Sequence, residues 1–259
     1  MREEKLKFKR GELELVGVLT TPEIPLEKTV VLCHGLTVDK DEGGVFTSLA
    51  NKLAEVGYHV FRFDFSGHGE SQGNPINMTV QQEKEDLEAA VKFLQSKGHK
   101  LFGIVAASFG GGPALLYTAE HLDVIKALVL FNPLIDYRTL LDPKLPWPKE
   151  NFGPEQMKHL NEKGYMSIGS KKFRIGKALI DEIISIEPFK KLEKIDIPVL
   201  FVHGDKDTYI PYEDSVKYHK WTPKGILLTV EGAEHGFHDK PEWQEKAFES
   251  TIKFFKENL

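Results

Sequence analysis

The sequence predicts an α/β fold, a mostly parallel sheet with helices on both faces. Six short runs, Val30–Cys33, Val60–Phe63, Leu101–Val105, Ile125–Phe131, Ile197–Val202 and Ile226–Val230, are apolar nearly throughout. A strand with one wet face would alternate instead, so these belong to a sheet covered on both sides. Between the runs the period changes. Val80, Leu87, Val91 and Leu94 lie 7, 4 and 3 apart, and Phe248, Ile252 and Phe255 lie 4 and 3 apart, which is the buried stripe of an amphipathic helix.

In chain order, KLKFKR and ELVGVLT around Gly11 read as an antiparallel opening hairpin. Segments 43–57, 110–121 and 212–220 are further helices between strands. Leu134 to Pro188 breaks the alternation, with no convincing strand and with Pro143, Pro146, Pro148 and Pro154 near its start. Phe173, Ala178, Leu179, Ile183 and Ile184 outline a helix within it, and so long an insertion reads as a helical cap rather than a structureless loop. A single domain follows, with a core of 1–133 and 187–259 and a cap of about 134–186.

Composition narrows the functional classes. With 41% hydrophobic and 28% charged residues, the 259-residue chain has the balance of a packed globular protein and not of a collagen, a mucin or a disordered chain. The 34 basic and 39 acidic side chains leave a net charge of -5 with no dense basic run, which disfavours nucleic acid as a partner. Cys33 is the one cysteine, so no internal disulfide forms, and the opening MREEKLKFKR lacks the apolar stretch of a secretory leader; a cytoplasmic setting is expected. Apolar runs such as LVLF at 128–131 fall far short of the ~20 residues needed to span a bilayer. Lys and Glu richness with 4 Met and 1 Cys is a composition expected of a thermophilic source. The oligomeric state is left open, a homodimer included.

Ligands of such sheets bind beyond the carboxyl ends of the strands, and four places there carry chemistry. After Leu101–Val105 comes Ala106-Ala107-Ser108-Phe109-Gly110-Gly111-Gly112, small residues around a serine at a strand-to-helix junction, the pattern of a nucleophile elbow. A Gly/Ser-rich packing turn would look the same from this string alone. A serine hydroxyl also needs a base and an acid that orients the base. After Ile197–Val202 comes HGDKDTYIP at 203–211, and after Ile226–Val230 comes EGAEHGF at 231–237. These give the order Ser108, Asp207, His235, each member after its own strand, as expected of α/β-hydrolases. Asp205 competes with Asp207, which is favoured because it lies further from the strand end; His238 competes with His235, which sits nearer its strand. The fourth place is Cys33-His34-Gly35-Leu36-Thr37, a turn able to aim amides at a developing oxyanion, with Leu36 N–H and Phe109 N–H as the candidate donors. Cys33 reads as a small packing residue.

These residues bring out a family likeness. His34-Gly35, Asp64-Phe65-Ser66-Gly67-His68-Gly69-Glu70-Ser71, the Ser108 elbow, HGDKD at 203–207 and GAEH at 232–235 resemble the α/β-hydrolase superfamily. More narrowly, HGLTVDKDE, FRFDFSGHGESQG and NMTVQQEKEDLEAAV are similar to bacterial cinnamoyl/feruloyl esterases and monoacylglycerol-lipase-like esterases. The likeness covers 1–133 and 187–259. It implies an eight-stranded sheet, a Ser-His-Asp mechanism and no cofactor or metal. The elbow departs from the Gly-His-Ser-Gln-Gly usual in related esterases, and the cap residues that bind phenolic hydroxyls there have no clear counterpart, although Asp136 and Tyr137 lie nearby.

The expected activity is a carboxylesterase acting on short to medium acyl or aryl esters, its partner a small-molecule ester. Substrate contacts are expected from His34, Gly35, Trp147 and Tyr165, with Phe152, Met166 and Phe173 adding apolar material. Three alternatives stand beside it. One is a serine aminopeptidase-like enzyme in which Glu150, Glu155 or Glu162 holds an amine; another is a non-catalytic hydrolase-like binding protein. The last is a metallohydrolase using His34, His203, Asp205 and His235, which lack a compact ligand motif.

Overall fold

The structure is a computed structural model describing residues 1–259. Its centre is an eight-stranded sheet in the order β1-β2-β4-β3-β5-β6-β9-β10. The strands are β1 (Arg2–Arg10), β2 (Leu13–Thr21), β3 (Lys28–Cys33), β4 (His59–Phe63), β5 (Leu101–Ala107), β6 (Ile125–Phe131), β9 (Val199–Gly204) and β10 (Gly225–Val230). The hairpin β1–β2 is antiparallel and joins β4 antiparallel; every pair from β4 to β10 is parallel. The six apolar runs are the six parallel strands, and β3 and β6 are buried along almost their whole length.

Two cores explain why these runs are apolar on both faces. On one side, Leu87, Ala90, Val91 and Leu94 of α2 (Val80–Ser96) and Ala114 and Leu115 of α3 (Gly111–Glu120) pack with Val31, Phe61, Ile104 and Leu128. On the other, Phe46, Leu49 and Leu53 of α1 (Val45–Glu55) and Phe248, Phe254 and Phe255 of α8 (Pro241–Asn258) cover Val30, Val105, Val129 and Val202. Strand alternation thus sends one set of side chains into each core. Thr79 caps α2, its side chain accepting the Gln82 N–H, as an N-cap threonine does.

Between β6 and β9 lie α4 (Pro146–Asn151), α5 (Pro154–Lys163) and α6 (Lys177–Ile183), together with an antiparallel hairpin of β7 (Tyr165–Ile168) and β8 (Phe173–Gly176). The hairpin is an addition to the helices expected there. Its strands are four residues each, too short for an alternating pattern to declare itself, and Phe173 opens β8 rather than a helix. A third core of Met78, Val80, Leu116, Tyr137, Phe152, Met166, Ile175, Leu179 and Ile183 seats this segment on the sheet domain. α7 (Tyr212–Tyr218) follows β9. No helix is long and apolar enough to cross a membrane.

Candidate active site

The carboxyl ends of β3, β5, β9 and β10 open on one side of the sheet and supply four loops. Ser108, directly after β5, takes φ 49, a left-handed conformation that a non-glycine residue holds only against strain. The turn is tight. A Cβ on Gly110 would lie 2.4 Å from the His34 carbonyl oxygen and 2.9 Å from that of Cys33. Ala106 is fully buried in the sheet between Cys33 and Leu130, a place where one methyl is accommodated.

Three side chains from separate loops meet here. His235 Nε2 lies 3.0 Å from Ser108 Oγ, and His235 Nδ1 lies 2.7 Å from Asp207 Oδ2. An ionised carboxylate only accepts, so Nδ1 carries the proton and Nε2 turns its lone pair to the hydroxyl. Asp207 is fully satisfied: Oδ1 accepts the Tyr209 and Ile210 N–H groups at 2.8 and 2.9 Å, and Oδ2 also meets His203 Nε2 at 3.2 Å. Burial pushes this carboxyl up, but the His235 charge and the hydrogen bonds from His203 and His235 outweigh it and hold the group well below the usual carboxylate range. Burial alone would lower His235; the Asp207 carboxylate overcomes it and raises the imidazole above its ordinary value. The rival residues lie elsewhere. Asp205 accepts the Gly232 N–H at 2.6 Å, tying its loop to the neighbouring one, and His238 stands at the pocket edge.

The loop after β3 is set by His34. Its Nε2 accepts the Phe65 N–H at 3.0 Å, which leaves Nδ1 to donate to the Gly35 carbonyl at 2.8 Å. In a trans peptide the next N–H points opposite that carbonyl, so the tether directs the Leu36 amide away from His34, and that amide makes no hydrogen bond within the protein. The loop rests on Ser108: a Cβ on Gly35 would be 3.1 Å from Ser108 Cβ. His34 is fully buried and burial lowers it to about 4, so it supports the loop and does not line the pocket as expected.

The Asp64–Ser71 motif is scaffolding for the same loop. Asp64, fully buried, accepts from Lys40 N–H, Lys40 Nζ and Glu70 N–H, while Ser71 Oγ donates to its carbonyl. Gly69 (φ 48) is required where a Cβ would lie 2.4 Å from that carboxyl.

A cavity of about 430 Å³ covers Ser108 and His235, lined by Gly35, Leu36, Phe109, Leu134, Leu140 and Trp147, among others. Trp147 is the one cap aromatic expected there that borders it. Tyr165 faces Arg174 and His159 instead; Phe173 stacks on His68, and Phe152 and Met166 are buried in the cap core. Apolar packing within the cap draws Phe152 and Met166 away, whereas cationic and imidazole partners hold Tyr165 and Phe173. Glu150, Glu155 and Glu162 are exposed and outside the cavity. Sequence reasoning assigned no role to Glu42, Glu234, Tyr209 or Asp239, which do line it. Tyr209 stacks on the His235 ring at 4.8 Å and on Trp147 at 5.5 Å. Glu42 ends the HGLTVDKDE string that carries the family likeness, and that membership was the one signal available.

His203 and His235 both bond to the Asp207 carboxylate, while His34 and Asp205 bond to backbone elsewhere, and the four form no cluster able to hold a metal. With this geometry in place the comparisons are informative. The family model described as serine aminopeptidase, S33, a hydrolase family, matches residues 25–154, half of the chain. The chain belongs to this family. Est1E from Butyrivibrio proteoclasticus with ferulic acid bound shares the α/β-hydrolase fold at TM-score 0.82, with 23% identity over 97% of this chain and 99% of that one. A Pyrococcus furiosus esterase, Pf2001, superposes at TM-score 0.74 with 20% identity, covering 99% and 93% of the two chains. A monoacylglycerol lipase of Mycolicibacterium smegmatis is 26% identical over 226 residues, 79% of each chain. The protein is thus an α/β-fold hydrolase by family.

Proposed function

We propose that this hydrolase is a carboxylesterase working through an acyl-enzyme, with Ser108, His235 and Asp207 as its triad. The observation that carries the reading is the single imidazole within hydrogen-bond reach of both the Ser108 hydroxyl and the Asp207 carboxylate. Ser108 Oγ attacks the ester carbonyl while its proton passes to His235 Nε2. The Leu36 and Phe109 amides receive the negative charge that develops on the carbonyl oxygen. Collapse breaks the ester C–O bond, and the imidazolium gives its proton to the departing alkoxide. Water then attacks the acyl-enzyme, losing a proton to His235, and a second collapse returns that proton to Ser108 as the acid leaves.

Leu36, Phe109, Leu134, Leu140, Trp147 and Ile210 give the cavity an apolar wall, which suits a short to medium acyl or aryl group. The ferulic acid bound to Est1E and the name of the mycobacterial relative support the ester reading. The family's description keeps a peptidase in the test. Ser108→Ala should abolish p-nitrophenyl butyrate hydrolysis and fluorophosphonate labelling while leaving the circular dichroism spectrum unchanged; undiminished turnover excludes Ser108 as nucleophile. A panel of p-nitrophenyl esters, monoacylglycerols, methyl ferulate and aminoacyl-naphthylamides should show turnover of esters, and turnover of the amides alone would overturn the esterase reading.

A further inference from the structure

Glu42 is a glutamate in an unusual place. Its side chain is almost wholly enclosed, with the residue 8% exposed. Its Oε2 accepts the Gly35 N–H at 2.6 Å, the sole hydrogen bond to its carboxyl within the protein. The backbone is held at φ 46 and is followed by Gly43 at φ 62 and Gly44 at φ 98. A left-handed glutamate is strained and persists where the surroundings over-determine it. The loop that carries it also touches the histidine loop, since a Cβ on Gly43 would lie 3.0 Å from His238 Cε1. Glu42 therefore braces the turn holding the Leu36 amide, while its neighbour Gly43 packs on the loop that carries His235.

The charges around it are few. Glu42 borders the substrate cavity with His235, His238, Glu234 and Asp239, and no Lys or Arg is among the lining residues. It also borders a small cavity of about 10 Å³ with Ser108, His235 and Asn132, whose Nδ2 is buried without a partner. Asp39 on its own loop adds negative charge, and the Lys40 ammonium is committed to Asp64 and Glu70. Burial pushes the Glu42 carboxyl up to about 7, with the Gly35 hydrogen bond and His235 pulling it back. The imidazole of His235 is thus its one cationic counterpart at the centre of the site.

We propose that Glu42 is a positioning residue of the active centre: it fixes the oxyanion loop through the Gly35 N–H and sets a second negative charge facing the His235 imidazolium. The inference rests on the serine-hydrolase reading. An arrangement with one acid on each side of the base divides the work. Asp207 fixes the tautomer by direct hydrogen bond, whereas Glu42 acts through the field and through the loop.

Two variants separate these effects. Glu42→Gln keeps an acceptor oxygen of nearly the same shape and removes the charge; Glu42→Ala removes both. Both are assayed on p-nitrophenyl butyrate across pH, with melting temperature and fluorophosphonate labelling measured in parallel. In Glu42→Gln the acid limb of kcat/KM should move to lower pH by less than about one unit, because a carboxyl raised to about 7 carries only part of its charge where the imidazolium gives up its proton. In Glu42→Ala, kcat should fall about 100-fold with little change in KM, the size of effect seen when one oxyanion donor is lost. An unshifted Glu42→Gln profile, or a Glu42→Ala kcat equal to the parent's, overturns the proposal. Ser108→Ala with full activity would instead overturn the serine-hydrolase reading beneath it, so the two failures are distinguishable.

Discussion

Replacing Asp207 by Asn tests the triad assignment most sharply, because the surroundings dictate how the new amide must sit. Oδ1 accepts two backbone N–H groups, from Tyr209 and Ile210. If the amide turned its NH2 toward them, donor would face donor in a buried site, leaving groups unpaired at about 1–3 kcal/mol each. The amide oxygen therefore keeps the Oδ1 place and the NH2 takes the Oδ2 place, facing His203 and His235. His203 adapts, since its Nδ1 partner is the Ser215 hydroxyl at 2.7 Å, which donates or accepts. His235 adapts only by moving its proton to Nε2, so that an N–H confronts Ser108 Oγ and no base remains. The same tautomer error in a serine protease triad costs about 10⁴-fold in kcat, or roughly 5.5 kcal/mol of barrier. Steady-state kinetics on p-nitrophenyl butyrate should show that loss with an unchanged melting profile. Asp205→Asn should retain the parent kcat, because Asp205 accepts the Gly232 amide and pairs with Lys206 but makes no hydrogen bond to His235. An Asp207→Asn enzyme within about tenfold of the parent would refute the assignment.

Two further outcomes follow from the geometry. The proposed mechanism requires neutral His235, whose pKa is raised above 6.5 because Asp207 outweighs burial. The acid limb of kcat/KM should therefore have its midpoint above pH 6.5, and a midpoint well below it in a pH–rate profile would contradict the charge balance. Gly110→Ala should destabilise the protein by about 3 kcal/mol or more, since overpacking against rigid neighbours is costly. The new Cβ would stand 2.4 Å from the His34 carbonyl oxygen and 2.9 Å from that of Cys33, the last residue of β3. Urea titration gives the measurement, and parent-like stability would show that the elbow has room to relax.

How far the sequence reveals the site depends on which interactions leave a pattern. Six parallel strands were legible because burial on both faces forbids alternation. Ser108, Asp207 and His235 were legible because a doubly wound sheet brings the loops after its strands to one side. The choice of Asp207 over Asp205 rested on reach along the loop, and in the structure the hydrogen bonds separate them. Tyr165 illustrates the opposite case. An aromatic in a cap matches both a pocket wall and a packing residue, and the contacts with Arg174 and the edge of His159 depend on a hairpin whose strands are too short to announce themselves. Glu42 was illegible for a different reason: an acidic residue in a polar loop looks solvated, and only the tertiary fold encloses it.

Backbone strain was equally hidden, and it concentrates where the chemistry is placed. Thr37, Glu42, Ser108, Asn132, Lys172 and Phe237 are the non-glycine residues with positive φ, and all but Lys172 border or adjoin the Ser108–His235 centre. Asn132 allows the strain to be weighed against the contact that retains it. At φ 41 the residue would be relaxed by glycine, a gain of about 1 kcal/mol by analogy with other left-handed positions. The side chain, however, accepts the buried Gly204 N–H at 3.1 Å through Oδ1, and orphaning a buried amide costs about 1–3 kcal/mol. The loss outweighs the gain, so Asn132→Gly should be destabilised by about 1 kcal/mol in urea titration. Activity should fall with it, since Gly204 ends the strand that leads into the Asp207 loop. A more stable and equally active Asn132→Gly would mean that the turn, not the hydrogen bond, governs this end of the sheet, and that strain here is a by-product of the chain path and not a condition of the site.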